Sequence, residues 1–141
     1  MKKIITILFI GLVSFSINAQ EKTAKIEFKS DTIDYGTIEK GSNGLRVFEF
    51  TNTGDAPLII SRVTSSCGCT VPTWTREAVL PGKKGEVQVK YDTNRVNPIR
   101  KTITVISNAE TPTVALKIKG EVIDSSKESI LEKKDKSLVE Q

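Results

Sequence analysis

Apolar residues recur at alternate positions in a series of short runs between Ile26 and Val122, and this period constrains the fold more than any other feature. Val114, Leu116, Ile118 and Val122 alternate with Ala115, Lys117, Lys119 and Glu121, so an extended chain would carry one apolar and one mostly polar face. Period two over such a length predicts a half-buried strand. Val87, Val89 and Tyr91 repeat the pattern, as do Ile103 with Val105, Phe48 with Phe50, and Leu58 with Ile60. Ile26 with Phe28, and the stretch from Ile33 to Ile38, complete the set. Turn formers separate the runs: Asn52-Thr53-Gly54-Asp55, Pro81-Gly82 with Gly85, Asp92-Thr93-Asn94, and Asn108-Ala109-Glu110 before Pro112. Short strands at this spacing, almost without helical period, predict an all-β, immunoglobulin-like antiparallel sandwich of about seven strands. Phe48, Phe50, Leu58, Ile60, Val87, Val89, Ile103, Val105, Leu116 and Ile118 lie on the inward phase of their strands.

The ends differ in composition. Lys2 and Lys3 precede an apolar run from Ile4 to Val13, and Ile17-Asn18-Ala19 closes on a small residue. This layout predicts a signal peptide over residues 1–19, cleaved between Ala19 and Gln20. The apolar run is shorter than the ~20 residues that span a bilayer, so no transmembrane anchor is expected. The expected location is periplasmic or secreted. Cleavage removes Lys2 and Lys3 and lowers the formal net charge from +4 to +2. Residues 20–123 have the length of one ordinary domain. Residues 124–141 are almost wholly polar and are expected to be disordered or a short helix, with Ser125 and Glu128 placed as a capping box ahead of Ile130, Leu131 and Leu138.

Catalysis has little to work with. The 141 residues include no histidine, which removes the commonest general base and the usual partner of a nucleophilic serine or cysteine. Gly41-Ser42-Asn43-Gly44 lacks the ending of a phosphate loop and precedes a strand, so it reads as a turn. Charges of both signs are interspersed without a basic block, so nucleic acid is not an expected partner. Arg62, Arg76 and Arg95 read as solvated cations. The chain is not expected to be an enzyme.

Cys67 and Cys69 are the only cysteines, with Gly68 between them. In an oxidising compartment two cysteines are expected to pair. Residues i and i+2 of an extended strand lie ~6.6–6.8 Å apart, at the outer limit for a bridge, so closure needs a local turn that Gly68 can supply. So small a ring constrains few unfolded conformers and stabilises little. Structural zinc needs four ligands, which these two residues do not provide. Copper(I) can be held by two thiolates, yet the only methionine, Met1, leaves with the signal. Three states therefore stay open for the sulfurs: a small disulfide, packed free thiols beside Trp74, or a redox or copper site. No cofactor is expected, with copper the alternative. Trp74 itself reads as a core plug or the cover of a sheet end.

The runs "FEFTNTGDAPLIISRVTSSCGCTVPTW", "LPGKKGEVQVKYDTNRV" and "KTITVISNA" resemble the bacterial domain of unknown function family 1573 from about Ile26 to Val122. The specific element is Cys67, Gly68, Cys69 and Thr70 followed by Pro72 and Trp74. The resemblance implies an immunoglobulin-like domain related in architecture to adhesion and major-sperm-protein type modules, and implies no reaction. Similar sequences carry glycine and an aromatic residue where this chain has Asn97-Pro98-Ile99, a turn in which asparagine tolerates a left-handed backbone. The expected function is an exported, non-catalytic interaction module that binds another envelope protein. The alternative is a thiol-based redox or copper(I)-handling protein centred on Cys67 and Cys69.

Overall fold

A computed structural model describes residues 19–127, 129–130 and 133–134. Among them eight strands form two four-stranded sheets: β1 (Ile26–Phe28), β2 (Thr32–Glu39), β3 (Leu45–Asn52), β4 (Ile60–Ser65), β5 (Thr70–Trp74), β6 (Lys84–Tyr91), β7 (Pro98–Ser107) and β8 (Thr113–Ile123). One sheet has the order β1-β3-β6-β5, the other β2-β8-β7-β4. The architecture is the immunoglobulin-like sandwich expected. One pair, β2 with β8, is parallel while all others are antiparallel. The chain leaves β1 at the edge of the first sheet and crosses to β2 at the edge of the second within residues 29–31.

All ten residues on the inward phase are at most 5% exposed, and Val87, Val89, Leu116 and Ile103 are fully buried. Tyr35, Val79, Tyr91, Ile99 and Val122 add to this core, Tyr91 and Val122 on the same phase as Val89 and Ile118. Asn52, a turn former by sequence, is buried, and all four of its amide valences are used. Its side-chain oxygen accepts from the backbone N–H groups of Lys25 and Gly54, and its nitrogen donates to the carbonyls of Ala56 and Val79.

One local expectation is corrected. No non-glycine residue among those described has a positive φ, so Asn97 does not adopt the left-handed conformation. Its side-chain oxygen instead accepts a hydrogen bond from the Tyr91 hydroxyl at 3.2 Å, and Ile99 enters β7 as a fully buried residue. Left-handed glycine appears at Gly36, where β2 shifts register against β8 and the Asp34 carboxylate accepts the Gly36 N–H at 2.8 Å. In the tail, helical turns occur at residues 125–127, 129–130 and 133–134, with Ile130 exposed. The Ser125 hydroxyl donates to the Glu39 carboxylate at 3.0 Å. Glu128, Leu131 and Leu138 lie outside the described residues, as do residues 1–18, over which a signal peptide is expected.

Candidate functional site: the Cys67–Cys69 turn

The fold places the two cysteines where the chain passes from one sheet to the other. β4 ends the second sheet at Ser65 and β5 begins the first at Thr70, so the intervening turn bridges the layers. Its start is held to β7: the Ser66 N–H donates to the Thr102 carbonyl at 3.0 Å, and the Thr102 N–H to the Ser66 hydroxyl at 3.2 Å. Its end is held to the first sheet, where the Asp92 N–H donates to the Cys69 carbonyl at 2.8 Å.

Within the turn Cys67 and Cys69 are disulfide-bonded, with Cα atoms 5.3 Å apart, inside the usual range for a bridge. Gly68 is not left-handed, and a β-carbon there would meet no heavy atom within 4 Å. The turn therefore closes without the conformational licence that the sequence assigned to glycine. The two sulfurs differ in access: Cys67 is half-buried, whereas Cys69 is buried. The Cys69 N–H points at the Cys67 Sγ at 3.3 Å, and the Thr70 hydroxyl lies 3.9 Å and 3.8 Å from the two sulfurs. Bonded sulfurs carry no thiolate, so copper(I) could be held only by the reduced form. Among the described residues no group of three metal-ligating side chains converges.

The residues after the turn form β5, a strand that sequence reading did not anticipate. Pro72 breaks the expected donor pattern, yet it is tolerated because β5 is an edge. The bonds from Asp92 N–H to the Cys69 carbonyl and from Thr75 N–H to the Glu86 carbonyl bracket the strand. The antiparallel alternation between them turns the backbone groups of Val71 and Thr73 toward β6 and the proline nitrogen toward the open side. Trp74 covers the sheet end as expected: it is half-buried, its indole N–H donates to the Ile60 carbonyl, and the Arg76 guanidinium lies 3.6 Å from the ring centroid.

Beside the turn lies a hollow of about 570 Å³, lined by Gly41–Gly44, Cys69, Val71, Lys90 and the 92–94 loop. Its polar groups are mostly committed. The Asp92 carboxyl is held below the usual carboxylate range chiefly by the Asn94 backbone N–H, against an opposing cost of desolvation, with the Asn94 and Arg95 side chains adding to the lowering. Tyr35, whose hydroxyl donates to the Gly44 carbonyl at 2.7 Å, has its pKa pushed up by burial, with Arg46 over its ring acting in the opposite direction. Arg62 is exposed on β4.

The sequence profile of DUF1573, a protein family of unknown function, matches residues 26–122. A protein of unknown function from Porphyromonas gingivalis W83 superposes with a TM-score of 0.64 at 23% identity, covering 77% of this chain and 51% of that one. The present chain thus spans about half the length of that protein. A PapD-like domain of human CEP192 superposes with a TM-score of 0.60 at 12% identity over 72% of this chain and 87% of the other. The Pseudomonas aeruginosa CupB2 chaperone gives 0.51 at 9% identity over 68% and 55%. These likenesses show a shared PapD-like, immunoglobulin-type fold. No curated protein matches the sequence.

Proposed function

We propose that this chain, which belongs to the DUF1573 family, is an exported, non-catalytic interaction module of the bacterial envelope that binds another envelope protein. Export rests on the charged, apolar and small-residue order of residues 1–19. One observation carries the binding role. The outer face of the β1-β3-β6-β5 sheet exposes Leu45 (40%), Val47 (40%) and Val71 (60%), although the interior is already filled and no buried side-chain polar atom among the described residues lacks a partner. Leu45 and Val71 flank Lys90 in a single cross-strand row, and Val47 lies two residues along β3. A cluster of apolar side chains left in water beside an open edge strand suits protein contact. CupB2 is described as a chaperone, which is in keeping with this use of the fold.

The test is affinity capture by the mature protein from its own envelope fraction, run beside Leu45→Glu with Val71→Glu. A partner retained by wild type and lost by the double variant is expected. Equal recovery by both would remove this face from the reading.

A second reading, a thiol-based redox or copper(I)-handling protein, has one observation in its favour: the half-exposure of Cys67 in an otherwise buried pair. Cys67→Ser with Cys69→Ser separates the two, since the interaction module keeps its partner and a thiol protein loses its function.

A further inference from the structure

We propose that a groove on the outer face of β2, β8 and β7 docks an extended acidic segment of a partner protein. This surface belongs to the sheet opposite the apolar face described above, and the proposal goes beyond that reading. The groove has a volume of about 600 Å³ and presents Arg100, Lys117 and Lys119 on its outer face against only Asp34 and Glu121. In the sequence these cations sit in separate runs; the β7–β8 register brings them together.

Two cross-strand rows define the charge pattern. In one, Asp34, Lys119 and Arg100 stand side by side on β2, β8 and β7. Lys119 reaches Asp34 at 3.5 Å, while Arg100, directly across from Lys119, has no carboxylate partner among the described residues. In the next row Lys117 lies between Thr32 and Thr102, again without an ion pair. Like charges placed directly opposite across a ladder destabilise it, so Arg100 and Lys119 form an arrangement that an added anion would relieve. Lys117 and Lys119 are two residues apart on β8, about 6.6–6.8 Å in an extended strand, and alternate side chains of an extended acidic peptide repeat at the same distance. Carboxylates at alternate positions of such a segment would meet Lys117 in one row and Arg100 with Lys119 in the next. The Thr102 hydroxyl offers a donor beside the first, while that of Thr32 already donates to the Asp31 carboxylate at 2.8 Å.

The experiment uses the mature protein and a fluorescein-labelled peptide of alternating glutamate and serine at low salt. Binding is expected, and it should weaken on the order of tenfold in Arg100→Glu with Lys117→Glu. Lys83→Glu with Lys84→Glu, exposed residues at the start of β6, changes the net charge equally and should leave affinity within about twofold. Backbone amide shifts on adding peptide should centre on β7 and β8. Equal weakening in both variants would show that only net charge matters, and absence of binding, or shifts confined to the other sheet, would equally overturn the proposal. Groove binding by a DNA oligonucleotide or heparin but not by the peptide would overturn it in favour of a different polyanion. None of these outcomes touches the capture experiment at Leu45 and Val71, so the two readings fail separately.

Discussion

The indole Nε1–H of Trp74 donates to the carbonyl of Ile60 at 3.3 Å, joining the edge strand of one sheet to the edge strand of the other. The same ring is covered from outside by Arg76, 3.6 Å from its centroid. Trp74→Phe keeps an aromatic surface for both neighbours but removes the donor. It should cost about 0.5–1.5 kcal/mol in a urea titration, the net worth of one hydrogen bond. A change within experimental error would show that water replaces the indole at Ile60.

Leu116 is fully buried between the sheets, and Val71 is 60% exposed on the outer face. Leu116→Ala should therefore destabilise by about 2–5 kcal/mol through lost transfer energy and the cavity left behind. Val71→Ala, at a surface position, should stay within about 0.5 kcal/mol. Comparable costs for the two would contradict the assigned faces.

Leu116 was legible in the sequence, and Val71 was not. Inward and outward phases follow from the two-residue period alone, because each strand obeys it locally, and every residue of the inward set is buried. β5 was not legible, since Pro72 argues against a strand unless one knows that its nitrogen faces an open edge. The parallel pairing of β2 with β8 depends on contacts between residues more than eighty positions apart, and the facing of Lys119 and Arg100 on contacts between residues nearly twenty apart. No local pattern encodes such a register. For the cysteines, the spacing implied a turn, but the sequence placed its licence in glycine torsion, whereas the Ser66–Thr102 and Cys69–Asp92 bonds hold both ends.

Gly68 and Gly85 should respond oppositely to alanine. At Gly68 the added methyl meets open space and the backbone is not left-handed, so Gly68→Ala should be close to neutral and leave the disulfide intact by mass spectrometry. At Gly85 it would enter the ring of Phe50, which packs directly over this glycine. Phe50 is itself buried, with its ring centroid 5.4 Å from that of Phe28 in a tilted contact, so it has nowhere to retreat. Gly85→Ala should cost about 1–3 kcal/mol by overpacking. A neutral Gly85→Ala would mean that the Phe28–Phe50 pair moves as a unit.

Acid stability should report on Asp92. Its carboxyl is held below 3.8, first by the Asn94 N–H and further by the Asn94 side chain and Arg95, the last at 3.5 Å. A depressed folded-state pKa contributes stability that is present above the unfolded value and lost as pH falls through the folded value. The loss therefore falls in the window below 3.8. Carboxyl chemical shifts should place the Asp92 titration under that value, and Asp92→Asn should flatten this part of the acid limb. An Asp92 that titrates at or above 3.8 would show that the loop hydrogen bonds do not persist in solution.

The bridge between Cys67 and Cys69 closes a minimal loop. The two residues are separated by one glycine, so the closed loop is as short as the sequence allows for this pair. The chain-entropy relation gives about 1.6 kcal/mol for a three-residue loop, against about 3 kcal/mol for a loop of 15 residues. The surrounding turn is anchored independently by Ser66 to β7 and by Cys69 to the Asp92 N–H, and those bonds involve no sulfur. Reduction should therefore lower stability only modestly and leave the backbone amide signals of β6 and β7 in place. Protein isolated from an oxidising compartment should show no free thiol and a two-dalton mass deficit confined to the peptide that contains both cysteines. Two freely titrating thiols in the native, air-exposed protein would reject the bridge. Loss of the whole fold on reduction would instead show that the disulfide, and not its hydrogen-bonded anchors, positions the turn between the sheets.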